Sequence, residues 1–553
     1  MTSAHASDTV PPAARLSKRR RALPWGLMAL AFVLILPSLG VLASLFTPLD
    51  PDFGGAGLWT QFSYFRGTLV LCVGVGLLAG TMGVTAACLV TVYAFPGRGF
   101  FAIALMLPFA VPAYIAAYCY GDFLSPFGGL RSLVAAIGAP IPATALPHIR
   151  SMPGAIMILS LTVYPYVYMA MRADLIARSD SFLEAARSLG STRLTAVLRV
   201  LLPSARPAII GGLTLALMET AADFGVSDYF GVRTLTTGIF RTWYGLGDLS
   251  AAAQLASGLF VIAAFLLLLE ELGRRARHDN PVRRTRPISR LRLSPAASLG
   301  AAFFCALPVC LGFVLPVGIL LAHAIDTGAT AASMDTVLTA SGTTLAFAAG
   351  AATLIMGLAV LFAYAARRTT RDTTSGKAIT AFIRIATLGY AIPGAVIAVG
   401  ILFVSGALFA PFGLSITQGG VLVLLYAYVA RFITAGYNAA HGGLTQISPL
   451  MDMASRSLGV SGSALVRAVH MPLALPALVS GAIIVMIDVS RELPATLLLR
   501  PFNVETLATS VYRLASDERL EAAAPMALAL ILAGLAPLFI LAVSSRTRQR
   551  RAL

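Results

Sequence analysis

Twelve stretches of this 553-residue chain are each apolar over roughly 20 residues, the length a helix rising about 1.5 Å per residue needs to cross a hydrocarbon layer of about 30 Å. Away from water every backbone amide must be satisfied within its own segment, so runs this long read as helices. The first six cover about 24 to 46, 67 to 95, 100 to 121, 154 to 172, 207 to 230 and 250 to 272. The second six cover about 298 to 323, 341 to 366, 378 to 408, 419 to 441, 474 to 499 and 523 to 545. Charged residues make up only 12% of the chain against 58% apolar, which excludes an ordinary soluble protein with about 25% charge.

The charge that remains is grouped, and its placement gives an orientation. Arg15, Lys18, Arg19, Arg20 and Arg21 precede the first run. Eight arginines from Arg274 to Arg292 follow the sixth, and Arg546, Arg548, Arg550 and Arg551 follow the twelfth. An even number of crossings separates each cluster from the next, so the rule that basic loops stay inside places all three, and both termini, in the cytoplasm. The net charge of +17 is thus a topology signal rather than a nucleic-acid footprint. The expected organisation is a basic tail (1–23), a six-helix half (24–272), an Arg-rich linker (273–297), a second six-helix half (298–545) and a basic tail (546–553). Cys72, Cys88, Cys119, Cys305 and Cys310 lie inside apolar runs at spacings that fit no zinc or redox motif and read as core residues.

The two halves repeat at an offset of 269 residues. Residues 184–208 read EAARSLGSTRLTAVLRVLLPSARPA and residues 453–477 read MASRSLGVSGSALVRAVHMPLALPA, identical at eleven of 25 positions. Gly190 aligns with Gly459, Pro203 with Pro472 and Pro207 with Pro476. Each copy follows the fourth run of its half in a segment too polar to cross a membrane. Since each half has an even number of runs, the halves share one orientation and are related by an axis along the membrane normal. In the first copy Glu184-Ala185-Ala186 is followed after three residues by Gly190, and after nine more by Val200-Leu201-Leu202-Pro203.

This pattern resembles the EAA motif of ABC importer permeases. The resemblance implies an all-α polytopic membrane protein of the type I importer kind, with twelve transmembrane helices in two parallel six-helix repeats. It also implies a short cytoplasmic helix at each motif, docking on a dimer of ABC ATPase subunits through Glu184, Ala185, Ala186 and Gly190. In the second copy the matching segment is Asp452, Met453, Ala454 and Gly459. That copy departs from the pattern: Met453 stands where the acid is expected, Ser455 replaces the second alanine, and Asp452 sits one place early. No G-x-x-x-x-G-K-[ST] phosphate loop occurs, since Gly376-Lys377 is followed by Ala378 and lacks the earlier glycine. The chain is therefore expected to bind no cofactor, ATP being used by a partner subunit.

Ionisable residues inside apolar runs are costly and are candidates for function. Glu219 and Asp223 stand four apart on one helical face, and Asp488 and Glu492 repeat them at the same 269-residue offset. Counting about 1.5 Å per residue from Pro207 and Pro476, the first acid of each pair lies about 18 Å along its run. The four carboxylates either line a translocation pathway, where oxygen ligands suit a hard cation, or are structural, with Arg491 and Arg431 as partners. Tyr164, Tyr166 and Tyr168 around Pro165 read as packing rather than metal ligands. His148, His323, His441 and His470 show no ligand spacing, and no metal site is assigned.

Four stretches carry a closer resemblance: IRSMPGAIMILSLTVYPYVYMAMRADL (149–175), Met218-Glu219-Thr220 running into Asp223-Phe224-Gly225, TLTTGIFRTWYGLGD (234–248) and RELPATLLLRPFNVETLAT (491–509). They are similar to the fused permeases of bacterial ferric-iron ABC importers. That resemblance implies a bacterial inner-membrane location, a periplasmic ferric-ion-binding protein as partner, and ATP-driven import of iron(III). Fused permeases for thiamine, polyamines or phosphonates share the architecture and are the alternative. A secondary transporter also explains repeats and buried acids, but the duplicated coupling segments argue against it. A membrane enzyme needs a nucleophile with its base or a clustered metal site, and neither is found.

Overall fold

The computed structural model describes residues 13–47, 58–136, 138, 142, 148–177, 192–275, 291–326, 331–368, 374–387, 389, 392–409 and 420–550. Among these the chain is helical apart from one two-residue parallel pairing. There Tyr93–Ala94 meets Leu291–Arg292 in the register Tyr93 to Leu291 and Ala94 to Arg292. The Arg-rich linker thus ends by pairing with the loop after the second apolar run.

Eight helices among the described residues are long and apolar enough to cross a membrane: Trp25–Phe46, Thr60–Val92, Met152–Ile176, Leu249–Gly273, Pro295–Asp326, Met334–Arg367, Val421–Thr445 and Gly462–Ser490. Two bent pairs raise the number to 10, and Gly394–Phe409 and Leu520–Leu535 are shorter apolar helices. The all-helical class is therefore observed, with eight to ten full-length crossings where twelve were expected. Proline breaks two of the runs, while the helix of the twelfth continues over Leu520–Arg550. In the third run Arg98–Ala110 and Ala113–Phe123 meet at 88°, where Pro108 and Pro112 remove donors and fix φ. The ninth run is divided into Thr374–Ala386 and Gly394–Phe409, the second helix starting directly after Pro393. The fifth run ends at Ala222 and the eleventh at Ser490, each followed by a separate short helix, Gly225–Tyr229 and Pro494–Leu499.

The chain clusters into two compact units. The first holds residues 37–351, 391–428 and 486–553, and the second 1–36, 352–390 and 429–485. In the first unit Leu58–Val92, Met152–Ala177 and Arg206–Ala222 pack on one another. Gly83 and Gly212 both face Val167, at positions where a side-chain carbon would overlap the Met152–Ala177 backbone. Small residues at such crossings let helix backbones approach where no hydrophobic drive exists between lipid-embedded surfaces. Tyr164 and Tyr168 are fully buried and donate to the carbonyls of Leu105 (2.8 Å) and Ala102 (3.0 Å). Tyr166 packs edge-on against Phe109 at 5.1 Å between ring centres. The three tyrosines around Pro165 therefore pack against the bent third run. In the second unit Gly481 packs against Ala439 and Met356 in the same small-residue manner.

The repeat extends beyond its identical residues. Val197–Leu201 and Val466–His470, 269 apart, are both π turns, a rare wide coil associated with functional positions. Thr234 with Thr237, and Thr506 with Thr509, form reciprocal capping boxes. The first amide of each capped helix also donates to a threonine hydroxyl of a long helix, Leu235 to Thr68 and Leu507 to Thr344, both at 2.8 Å.

Candidate functional site

The first coupling segment, with Glu184, Ala185, Ala186 and Gly190, lies outside the described residues. The second is the helix Pro449–Ser457. Ser448 caps its start by accepting from the Leu450 amide, and Pro449 occupies the first turn, where its missing N–H costs nothing. Gly459 ends it at φ +80. The Gly459 amide donates to the Arg456 carbonyl (3.0 Å) and the Val460 amide to the Ser455 carbonyl (2.9 Å), the paired bonds of a left-handed glycine stop. Gly459 thus turns the chain at the end of this helix.

Asp452 does not project outward. Its carboxylate accepts both oxygens' bonds from Arg367 Nη2 (3.1 and 3.1 Å) and one from His470 Nε2 (2.9 Å). The Arg367 guanidinium also donates to the carbonyls of Leu444 and Ile447. Burial alone would raise the Asp452 carboxyl, but the bonds from His470 and Arg367, together with the charge of both, hold it below its ordinary value. The helix leaves Leu450, Met451, Met453 and Leu458 exposed, with Ala454, Arg456 and Ser457 beside them. The cationic tether was not legible in the sequence, because Arg367 and His470 lie 85 and 18 residues from Asp452.

The four acids of the apolar runs divide into two kinds. Asp223 ends Arg206–Ala222 and caps the next helix. Its carboxylate accepts from the Ser227 amide (3.0 Å), the Ser227 hydroxyl (3.0 Å) and the Val226 amide (3.4 Å), and Thr236 donates to its carbonyl at 2.6 Å. Glu492, only 5% exposed, does the same at the second break, accepting from the Ala495 amide at 3.0 Å while Thr496 donates to its carbonyl at 2.7 Å. Glu219 is half-buried and has no hydrogen-bonded or ion-paired partner among the described residues, although Asp223 lies within electrostatic reach. Asp488 is half-buried on the matching turn. Arg491 donates to the Phe109 carbonyl at 2.8 Å and lies 5.5 Å from that ring's centre. The two breaks come together, since Leu493 lies within 3.5 Å of the side-chain position of Gly225.

Among the described residues no three His, Cys, Asp or Glu side chains converge as a metal site. A different constellation stands beside the breaks, and sequence reading passed it over. Tyr114, Tyr118 and Asp122 recur every four residues along Ala113–Phe123 and so share one face. Tyr118 stacks edge-on with Tyr229 at 4.5 Å and lies 6.0 Å from Tyr114. Tyr512 donates to Asp228 at 2.8 Å. Glycine makes room twice: Tyr229 lies over Gly121, and Tyr114 over Gly225, so that a side-chain carbon at either glycine would overlap the ring. The four-residue spacing was the available signal. Its meeting with Asp228, Tyr229 and Tyr512 is a tertiary event.

Residues 73–277 match the family described as binding-protein-dependent transport system inner membrane component. The chain is similar to the Fe(3+)-transport system permease protein FbpB 2 of Haemophilus influenzae, 25% identical over 488 residues that cover 86% of this chain and 88% of that protein. It is similar to the sulfate transport system permease protein CysT of Salmonella typhimurium, 27% identical over 209 residues, covering 37% of this chain and 73% of the relative. A probable molybdenum ABC transporter permease protein of Haloferax volcanii is 29% identical over 195 residues, covering 35% and 68%.

Proposed function

We propose that the chain is an inner-membrane component of a binding-protein-dependent transport system, the family that residues 73–277 match, and that it conducts iron(III) from a periplasmic ferric-ion-binding protein into the cytoplasm. It is the permease of an ABC importer, and such a permease works between a binding protein and an ATPase. We assign the docking of the ATPase dimer to Glu184–Gly190 and to Asp452–Gly459, placing both termini in the cytoplasm beside it. The apolar face of Met451, Met453 and Leu458 gives the second segment a contact that does not depend on an acid. Asp223 and Glu492 shape the breaks, while Glu219 and Asp488, one turn earlier, face the conducting axis in this reading.

The observation that carries iron is coverage. Similarity to the ferric-iron permease runs through both halves, whereas the sulfate and molybdenum relatives align with 35–37% of the chain. The oxyanion relatives supply a second reading, because identity within their shorter alignments is 27–29%. The test is ATP-dependent uptake of labelled iron(III) into vesicles holding this chain, its ATPase and its binding protein, with sulfate, molybdate and thiamine offered in parallel. Iron uptake that needs all three components is expected. Uptake of sulfate or molybdate with none of iron would transfer the permease to the oxyanion reading.

A further inference from the structure

Three phenols and a carboxylate gather around Tyr118. Its ring meets those of Tyr114 and Tyr229, and Tyr512, Tyr114 and Asp228 all lie within its electrostatic reach. Tyr114 is 6% exposed and Tyr118 1%. Among the described residues neither the Tyr114 nor the Tyr118 hydroxyl has a hydrogen-bond partner within bonding geometry, the Tyr118 hydroxyl having Ser516 within electrostatic reach. A buried hydroxyl without a partner costs about 1–3 kcal/mol, so two on one helix face ask what they serve. Other phenols of this bent run are satisfied: Tyr120, on another face, donates to the Leu311 carbonyl at 2.8 Å.

The cluster has direction. Asp122, with His323 at 3.0 Å, lies at the more exposed end. Beyond it Arg150 holds Tyr229 by a 2.8 Å bond and pairs with the exposed Glu518 at 3.2 Å. Two helical turns away, about 12 Å along Ala113–Phe123, Tyr114 sits on Gly225 at the first break and within electrostatic reach of Arg491 and Glu492 at the second. The phenols therefore lead from an exposed rim to the place where both breaks meet.

We propose that Tyr118, Tyr512 and Asp228 form a transit site for a hard trivalent cation, with Tyr114 as the next oxygen donor inward. This rests on the iron(III) reading and names the residues that receive the ion. Phenolate and carboxylate oxygens are hard ligands. Binding breaks the Tyr512 to Asp228 hydrogen bond and exchanges three oxygen ligands of the incoming ion for one bond to each phenol oxygen and one to the Asp228 carboxylate, releasing those ligands and one proton per phenol, with no change of oxidation state. A 3+ ion held by two phenolates and one carboxylate is neutral overall, which removes most of the cost of placing such a charge in a low-dielectric surrounding. An oxyanion meets the opposite situation, since Asp228 repels it. Arg150 is engaged by Tyr229 and Glu518, and Arg491 by the Phe109 carbonyl.

The test uses the full chain in lipid nanodiscs titrated with ferric nitrilotriacetate, alongside uptake by the complete transporter. The wild type is expected to develop the visible charge-transfer absorption of a ferric phenolate and to release about two protons per iron. Tyr118→Phe and Tyr512→Phe each remove only a hydroxyl; they are expected to abolish the absorption and lower iron uptake at least tenfold while still co-purifying with the ATPase. Tyr114→Phe is expected to keep the absorption and slow uptake. Tyr120→Phe, the packing control, changes neither. Iron uptake by the wild type with no ferric-phenolate absorption, and unaltered uptake by both variants, overturns the transit site and leaves the iron reading standing. Absence of iron uptake by the wild-type complex removes the iron reading, and the transit site with it.

Discussion

The two helix breaks do the same work with different residues. After Arg206–Ala222, the next helix begins at Gly225 and offers free amides at Val226 and Ser227, both taken by Asp223. After Met471–Ser490, the next helix begins at Pro494, which has no N–H to satisfy, so Glu492 serves the single amide of Ala495. Proline also fixes φ near the helical value, while glycine leaves it open. The second break is thereby set by covalent geometry and the first by a carboxylate. A polar group further ties the second break, because Arg491 reaches the Phe109 carbonyl where the first half has Ala222. The lesson is that the repeat conserves the break and its acid cap but places the rigid version in one half and the compliant one in the other. The compliant one carries Asp228 and Tyr229.

The comparison breaks first at the caps. Asp223→Ala strands three donors and is expected to destabilise the protein by about 2–3 kcal/mol, whereas Glu492→Ala strands one and is expected to cost about 1–2 kcal/mol. Asp223→Asn keeps an acceptor oxygen and should cost under about 1 kcal/mol. Thermal unfolding in nanodiscs measures all three, and equal losses for the two alanine variants would show that proline contributes nothing to the second break. Next in size is Arg491→Ala, which makes the second break resemble the first. Loss of a charge-assisted bond to a carbonyl predicts about 1–2 kcal/mol. Arg491→Lys is expected to recover part of it, as a point charge without the planar fork. A neutral Arg491→Ala would leave the Phe109 contact without a structural role.

Much of this was written in the sequence in a form that pattern reading catches. The apolar runs and the 269-residue repeat follow from composition and spacing. The bends were legible too, in Pro108, Pro112 and Pro393, but counting apolar residues gives proline no weight and so joined each broken run into one. Depth alone makes any acid costly, so Asp223 and Glu492 read equally as pathway carboxylates or as structural partners. The local strings Asp-Phe-Gly-Val-Ser and Glu-Leu-Pro-Ala-Thr already place an acceptor three residues ahead of free amides, which is a cap. The tether of Asp452 and the gathering of Tyr118, Tyr512 and Asp228 depend on partners 85 and more than 100 residues away, which no local period reports.

The smallest effect tests whether the second half braces the helix Pro449–Ser457 as it braces its break. Asp452 takes bonds from Arg367 and His470, and its folded value lies below the ordinary 3.8. A depressed carboxyl contributes stability that is fully present above its unfolded value and is lost as pH falls through the folded one. The tether is therefore complete at neutral pH and loosens only below about pH 4. Hydrogen exchange at the Gly459 and Val460 amides, which close the helix Pro449–Ser457, should stay slow down to that range and then accelerate beyond the intrinsic pH trend. Asp452→Asn accepts from Arg367 without titrating, so the acid limb should vanish while exchange at neutral pH rises modestly. An acid limb unchanged in Asp452→Asn would place the titrating group elsewhere and leave the helix Pro449–Ser457 held by its caps alone.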